Sequence, residues 1–413
     1  MKYLFCSSVY DMREYDRLAA KSKVQLSLAD HNLNYNIIVG MEEALGHPIK
    51  LINNAPIPNY PNYPKIWFKK LPWSHTEGGE DIHCGFINLP VLKHLSRAVT
   101  TYAALKKEIK AAGQEPVCAV TYELRLGMCL AMKKARRRFK NLRMVAVLPD
   151  IPTAVIKAAT GGTMDWKARL RAAIKMRFIK QFDAYVVITD AMREVSPVGD
   201  KPSVVLEGIY NSHQPPLAEK TTDKKVILYT GQLNPAYDLE TLFDAFEALY
   251  AEDPTHELWL CGGGKLVPYI NEMAQRCPGV KYYGYVNAAA VRGYQAEATL
   301  LVNPRQNTDE FTRFSFPSKT MEYLASGRPV VGYKLDGIPA EYDPHIQYVP
   351  ANDVDTLKET LRRVCSLPAE ERAAIGAAAR EFILREKNPK AMCTPVVAMC
   401  EDLFKNDTKR GDV

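Results

Sequence analysis

The segment Ser315-Phe-Pro317-Ser318-Lys319-Thr-Met-Glu322 concentrates the residue types best suited to chemistry in this 413-residue chain. Pro317 fits the start of a helix, where its missing amide hydrogen costs little. Ser318 and Lys319 then fall in the first turn, with free backbone amides and an ammonium suited to a diphosphate. Glu322, four residues past Ser318, lies on the same helix face, where a carboxylate can accept both hydroxyls of a ribose. The helix is expected to end near Gly327, with Pro329 opening the next strand. Upstream, Leu301-Val-Asn-Pro-Arg305 sets a guanidinium behind another strand, and Glu310 and Arg313 follow it.

Three glycine turns precede this segment. Tyr229-Thr-Gly231-Gln232-Leu233 follows the apolar run Val226-Ile-Leu228 and leads to an amphipathic helix from about Leu239. Glycine there lets backbone amides approach a phosphate, and a helix amino terminus favours the negative charge. Leu258-Trp-Leu-Cys-Gly262-Gly263-Gly264 strips side chains from a place where a flat base or a sugar would approach the main chain, and Tyr283-Gly284-Tyr285-Val286 repeats the form. Taken singly, each is as much an ordinary turn as a ligand site. At successive strand ends of one sheet they point together to its carboxyl edge, where open α/β sheets bind ligands.

The elements that must position these residues alternate between short β-rich runs and helical patterns, as parallel sheets covered by helices require. Lys2–Cys6, Val117–Thr121, Arg143–Leu148 and Ala184–Thr189 read as buried strands of a first sheet. Lys225–Thr230, Glu257–Cys261, Val280–Tyr283, Thr299–Val302 and Pro329–Gly332 form a second. The expected fold is therefore α/β, with two doubly wound domains. Ser196-Pro-Val-Gly-Asp-Lys-Pro202 interrupts regular structure between the strand sets, giving domains over residues 1–205 and 206–389. A final helix over about 390–413 is expected to pack back on the first domain. A cleft between the two lobes is the default active site.

In the first half, the strand Arg143–Leu148 ends at Pro149-Asp150, which sets a carboxylate at the carboxyl edge. Catalysis or acceptor positioning competes there with a turn or helix-cap role. Tyr122-Glu123 is a similar, weaker case. Residues 54–90 interleave Pro56, Pro58, Pro61, Pro64 and Pro72 with Tyr60, Tyr63, Trp67 and Trp73. Such a stretch is extended and serves either as an acceptor-contacting loop or as a long connection packed on its own aromatics.

Composition bounds the rest. With 47% hydrophobic and 24% charged residues the chain can bury sizeable cores, and it contains no low-complexity segment or solenoid repeat. No run approaches the roughly 18 to 20 apolar residues of a membrane span. Met1-Lys-Tyr-Leu-Phe-Cys6 runs directly into a strand-like start, so a cytoplasmic location is expected. The nine cysteines are scattered singly and read as reduced core thiols, and neither they nor the eight histidines show metal-ligand spacing. No metal and no cofactor are expected. Residues 1–200 carry 30 Lys and Arg against 18 Asp and Glu, whereas residues 201–413 carry 24 against 29. An anionic partner would therefore meet the first half. Lys133-Lys-Ala-Arg-Arg-Arg-Phe-Lys140 and the helical pattern Lys167–Lys180, striped with Leu170, Ile174 and Phe178, fit either an anionic bilayer or a solvated basic face above an inward stripe. Nucleic-acid binding is disfavoured, since charge is its only signal.

From Phe182-Asp-Ala-Tyr-Val-Val-Ile-Thr-Asp190 to Gly337-Ile-Pro-Ala-Glu-Tyr342, and most specifically through Phe316-Pro-Ser-Lys319 and Glu322-Tyr-Leu-Ala-Ser-Gly327, the chain resembles the retaining family 4 glycosyltransferases of the GT-B fold, and among them a bacterial polysaccharide-biosynthesis subgroup. The resemblance implies two Rossmann-like domains facing each other across a cleft, the first for the acceptor and the second for a nucleoside-diphosphate sugar, UDP ahead of GDP. It implies that Gly231 and Gln232 border the donor phosphates and that Gly263 and Gly264 line the base pocket with Tyr285 and Val286. Ser318 and Lys319 would then face the diphosphate, and Glu322 the ribose. It also implies retained stereochemistry, independence of metal, and an acceptor that is a glycan, in many relatives lipid-linked, at the inner face of the plasma membrane.

Two departures stand out. The broader family places two glutamates with seven residues between them, the first on the transferred sugar; eight positions before Glu322 this chain has Phe314. It also places an arginine and a lysine in the phosphate loop, where this chain has Gln232 and Tyr237. Lys319 and Arg305 are expected to supply that charge, and Glu310 is a candidate for the missing sugar contact, with a surface carboxylate as the other reading. Asp150, Glu310 and Lys319 are thus the candidate catalytic groups. A non-catalytic partner subunit and a sugar-nucleotide epimerase of similar fold are the rival functions.

Overall fold

The computed structural model describes residues 1–70, 73–122, 124–151, 165–195, 198–211, 217, 224–307 and 310–408. Pro72, Glu123 and the Ser196-Pro197 part of the expected hinge lie outside these residues. The chain divides into two compact units, Met1–Asn211 with Asn388–Val413, and Ser212–Lys387.

The first unit is built on a seven-stranded sheet in the order β4-β2-β1-β6-β7-β8-β9. Its strands are β1 (Lys2–Ser7), β2 (Lys50–Asn53), β4 (Ile82–His83), β6 (Val117–Tyr122), β7 (Leu142–Leu148), β8 (Ala184–Val187) and β9 (Ser203–Val205). Every neighbouring pair is parallel. A parallel sheet is covered on both faces, so its central strands read as continuous apolar runs; Val117–Tyr122 is buried at every position. The first unit's helices are α1 (Tyr15–Lys21), α2 (Leu28–Leu45), α3 (Leu92–Ala111), α4 (Leu126–Arg138) and α5 (Trp166–Ile179), joined by the final helix α12 (Pro389–Thr408).

Helix α12 returns to this unit through a glycine contact. A Cβ on Gly40, in the middle of α2, would fall 2.3 Å from the Pro389 carbonyl oxygen and 2.6 Å from Cys393 Sγ. Glycine inside a helix costs about 1 kcal/mol relative to alanine, and here the cost is offset by the close helix contact it permits. Cys393, Val396, Val397 and Cys400 thereby join the core formed by Phe5, Ile37, Ile38, Met41 and Leu51. All nine cysteines are buried free thiols.

Residues 54–90 hold the antiparallel ribbon of β3 (Trp67–Phe68) and β5 (Phe86–Ile87) beside the edge strand β4. Tyr63 and Phe86 sit in a small core of their own, with Phe68 stacked on Phe86 at 4.7 Å, while Tyr60 and Trp67 stay exposed. Helix α5 leaves Leu170 and Ile174 of its apolar stripe exposed, together with Trp166 one turn earlier, and only Phe178 at its far end is half-buried.

The second unit holds a six-stranded parallel sheet in the order β12-β11-β10-β13-β14-β15. Its strands are β10 (Lys225–Gln232), β11 (His256–Gly263), β12 (Val280–Gly284), β13 (Leu300–Asn303), β14 (Val330–Gly332) and β15 (Gln347–Tyr348). Its helices are α6 (Leu239–Glu252), α7 (Val267–Arg276), α8 (Ala288–Glu297), α9 (Lys319–Ala325), α10 (Val354–Ser366) and α11 (Ala369–Glu386). In each sheet the winding direction reverses once, between β1 and β6 in the first and between β10 and β13 in the second. Such switch points open a crevice beyond the carboxyl ends of the strands.

Candidate functional site

The second unit's switch point is where β10 ends in Thr230-Gly231-Gln232 and β13 leads into Pro304-Arg305-Gln306. Helix α9 is tied to it by Tyr323. The fully buried Tyr323 hydroxyl accepts from the Thr230 amide at 2.9 Å and donates to the Thr230 carbonyl at 3.0 Å, so it satisfies both backbone polar groups of that residue near the end of β10. Burial pushes the phenol up to about 12, against the pull of its bonds to Thr230, so it stays a neutral donor and acceptor.

Lys319 lies four residues before Tyr323 and therefore on the same face of α9. Its aliphatic chain lies across Gly231: a Cβ added there would stand 2.9 Å from Lys319 Cε and 3.0 Å from the Tyr229 hydroxyl. Gly231 thus leaves room for the lysine at the strand end. Tyr229 closes the turn by donating to the Gln232 carbonyl at 3.0 Å. Ser318 and Glu322 are exposed on the same short helix, and Lys319 is half-buried. Ser318 makes no capping hydrogen bond with its side chain.

The glycine triplet has a division of labour. A Cβ on Gly262 would fall 1.7 Å from the Gly231 carbonyl oxygen, and one on Gly264 would fall 2.2 Å from that of Leu233, whereas Gly263 faces open space. Gly262 also holds φ at +136°, which favours glycine. Gly262 and Gly264 are required by the packing of two loops. Further bonds join those loops: the Leu233 amide donates to Gly263, and the Leu266 amide to Leu233. The Lys265 amide donates to Asn234 Oδ1. Gly263 is the member left open at the surface. Tyr282 donates to the Gly262 carbonyl at 2.8 Å and holds the β12 end against the same turn. Tyr285 is 88% exposed just beyond, followed by half-buried Val286.

Gln232 is exposed, and its side-chain oxygen accepts from the Tyr237 hydroxyl at 3.2 Å. The two positions where the wider family places cations therefore meet in a neutral hydrogen bond. Asp238, at a left-handed φ of 54°, accepts from the Gln306 amide at 2.8 Å and fixes the turn that carries half-buried Arg305. Glu310 opens the short helix Glu310–Phe314, whose last residue Phe314 is buried at 1% exposure. Thr312 in that helix donates to Asn307 Oδ1. Asp150 is exposed after β7 in the first unit. Among the described residues no group of three or more His, Cys, Asp or Glu is placed to hold a metal ion, and no helix is long and apolar enough to cross a membrane.

The strand ends therefore gather Gly231, Gln232, Lys319 and, through Asp238, Arg305 around one switch point. Tyr323, Tyr282 and Asp238 carry this arrangement and escaped the sequence reading. The one sequence signal for Tyr323 is its four-residue spacing from Lys319; nothing local reveals that its hydroxyl reaches β10.

Two parallel-sheet units of this kind are the GT-B fold of the glycosyltransferase neighbours, and residues 224–366, within the second unit, match the family model described as Glycosyl transferases group 1. Together the family match and the GT-B fold of the chain support a glycosyltransferase. No curated protein matches the sequence. Among solved structures, "trehalose-6-phosphate from E. coli bound with UDP-2-fluoro glucose" superposes with a TM-score of 0.63 at 11% identity, over 98% of this chain and 99% of that one. The lipopolysaccharide outer core galactosyltransferase WaaB, in its apo form, gives 0.59 at 14% identity over 97% and 99%. TarM gives 0.54 at 13% identity over 79% of this chain, which spans 62% of the TarM chain. At these identities the likeness is one of fold.

Proposed function

We propose that this chain is a retaining glycosyltransferase that moves a sugar from a nucleoside diphosphate, UDP ahead of GDP, to a glycan acceptor in bacterial surface polysaccharide synthesis. The observation that carries the reading is Lys319 laid over Gly231 at the carboxyl end of β10, on the helix that also presents exposed Glu322. On this reading the Gly231–Gln232 turn and Ser318 border the diphosphate, Lys319 and Arg305 neutralise it, and Glu322 accepts the ribose hydroxyls. Gly263, Gly264, Tyr285 and Val286 border the base. The anomeric carbon–phosphate oxygen bond breaks and a bond to the acceptor oxygen forms on the same face, while the leaving phosphate takes the acceptor's proton. Charge development on the diphosphate is then what the protein must stabilise, and neither a metal nor a pair of glycosidase-type carboxylates enters the step. Asp150 and Glu310 are the candidate contacts to acceptor and transferred sugar.

The UDP-sugar bound by the E. coli neighbour supports the donor class, and the lipopolysaccharide named for WaaB supports the acceptor class. A lipid-linked acceptor fits the surface of the first unit. Val91, Leu95 and Val99 are exposed along α3, Leu130 is exposed on the adjoining α4, and Lys133, Lys134, Arg137 and Arg138 follow on α4. Apolar side chains beside clustered cations suit the inner, anionic face of the plasma membrane.

A thermal-shift panel of UDP-, GDP- and ADP-sugars tests the donor, since a ligand of the native state raises its melting temperature. UDP-sugars should give the largest rise; no rise with any of them contradicts the reading. A non-catalytic partner subunit is the second reading, favoured by buried Phe314 where relatives carry the first glutamate. Donor binding without turnover in the presence of acceptor would select it.

A further inference from the structure

The first unit contains a cavity of about 260 Å³ lined by Asn54, Asn59, Lys93, His94, Arg97 and Arg125, besides apolar groups. Asn54 follows β2 and Arg125 follows β6, so the cavity lies beyond the carboxyl ends of the strands that flank β1. Lys93, His94 and Arg97 come from the first two turns of α3. Gly127 brings the start of α4 against them, since a Cβ there would stand 3.0 Å from both Arg97 Cβ and the His94 carbonyl oxygen.

Two of these cations are buried, Lys93 at 5% and Arg97 at 7% exposure. Their hydrogen-bond partners are neutral. Lys93 donates to the Ile57 carbonyl and, at 2.9 Å, to Asn59 Oδ1; Arg97 donates to the Ala55 carbonyl and stacks 4.1 Å from the Phe86 ring centroid. Neither forms an ion pair with a carboxylate among the described residues. Among the described residues Arg97 Nε is buried with no hydrogen-bond partner, and Asn54 Oδ1, on the cavity wall, is likewise unpaired. At the end of β1 the hydroxyls of Ser7 and Ser8 are also buried and without a partner among the described residues.

Burying cations without an anion is expensive, because desolvation is not repaid by attraction. Burial, and then the neighbouring Arg97 and Arg125 charges, push the Lys93 ammonium down to about 7. Burial and Arg125 push Arg97 down to about 9. A chain that needed only to fill this space would place aliphatic side chains there. Convergent donors left over after the local carbonyls are satisfied, in a cavity several times the roughly 30 Å³ of a water molecule, suit a tetrahedral oxyanion bound by charge-assisted hydrogen bonds.

We propose that this cavity is an anion subsite, that it takes a phosphate or diphosphate group on Lys93, Arg97 and Arg125, and that the group belongs to the acceptor. The last clause rests on the transferase reading; the binding of the anion does not. Asn54 Oδ1 would accept a hydroxyl of the attached residue.

The test is calorimetric titration of the full chain with inorganic pyrophosphate in the presence of saturating UDP, which occupies the donor site. Saturable binding is expected, weakened tenfold or more by Lys93→Met and by Arg97→Met. Replacing a buried cation with an apolar side chain of similar length is often tolerated, and Lys93→Gln provides a polar second variant. The same variants are then titrated with glucose 6-phosphate and with vesicles carrying a polyprenyl diphosphate; a loss confined to one arm identifies a soluble or a lipid-borne phosphate as the source. Absence of pyrophosphate binding in the parent, or parental binding in all three variants at Lys93 and Arg97, overturns the proposal. If UDP leaves the melting temperature unmoved while pyrophosphate still binds, the transferase reading falls and the anion site stands.

Discussion

The Tyr323 hydroxyl closes on both the amide and the carbonyl of Thr230, 93 residues earlier in the chain, and so locks the helix carrying Lys319 and Glu322 to the end of β10. Tyr323→Phe should lower the melting temperature, because the buried Thr230 amide and carbonyl then lose this partner at a cost of about 1–3 kcal/mol. It should also raise the KM for donor more than it lowers kcat, since Lys319 keeps its charge and loses only its support. Steady-state kinetics and a thermal melt on the same variant check both.

The glycine triplet gives a sharper contrast. Gly262→Ala pushes a methyl into the Gly231 carbonyl oxygen, whereas Gly263→Ala meets nothing. The first variant should be clearly destabilised or insoluble. The second should melt with the parent and show its effect, where it has one, only in nucleotide affinity. Thermal melts of the two proteins, compared directly, decide it.

His75 predicts a pH dependence of stability. Burial alone would push its imidazole down, but hydrogen bonds to Asp81 at 2.7 Å and Glu42 at 2.9 Å outweigh burial and raise it to about 9. A folded-state value above the unfolded one contributes stability that is complete below about pH 6.5 and lost as pH rises through about 9. The parent should therefore unfold more readily at pH 9.5 than at pH 6.5, and His75→Gln should flatten that difference. Urea melts at the two pH values measure it.

The anion subsite has the opposite use for protons. Lys93 is faced by His94 and Arg97 from its own helix and by Arg125 from the start of α4. Its value of about 7 means that much of it is neutral at pH 8. Pyrophosphate should bind more tightly at pH 6.5 than at pH 8.5, with proton uptake at the higher pH, and the dependence should weaken in Lys93→Met. Titration in buffers of differing ionisation enthalpy reads the uptake.

Nine strands announced themselves in the sequence because buried parallel strands are continuous apolar runs, as Val226–Leu228 and Val145–Leu148 show. Lys50–Asn53 and Gln347–Tyr348 did not, being short and polar at one end; they acquire their strand character from the neighbours they pair with. The Gly231 turn and the Lys319 helix were legible because proline, glycine and charge mark them locally. The lock between Tyr323 and Thr230, and the convergence of Asn54, Lys93, Arg97 and Arg125, were not, since each depends on residues brought together by the winding of a sheet. Gly262 and Gly264 likewise look alike in sequence with Gly263 and differ only in what their missing side chains would strike.

On the proposed function, Lys319 bears the leaving diphosphate in place of the cations absent at Gln232 and Tyr237. A nucleotide-release assay on the full chain, with its preferred nucleotide sugar and acceptor, compares Lys319→Ala with the parent. Removal of a preorganised charge from the leaving group should cost about 100- to 1,000-fold in turnover, with the melting temperature retained; turnover within about twofold of the parent would contradict it.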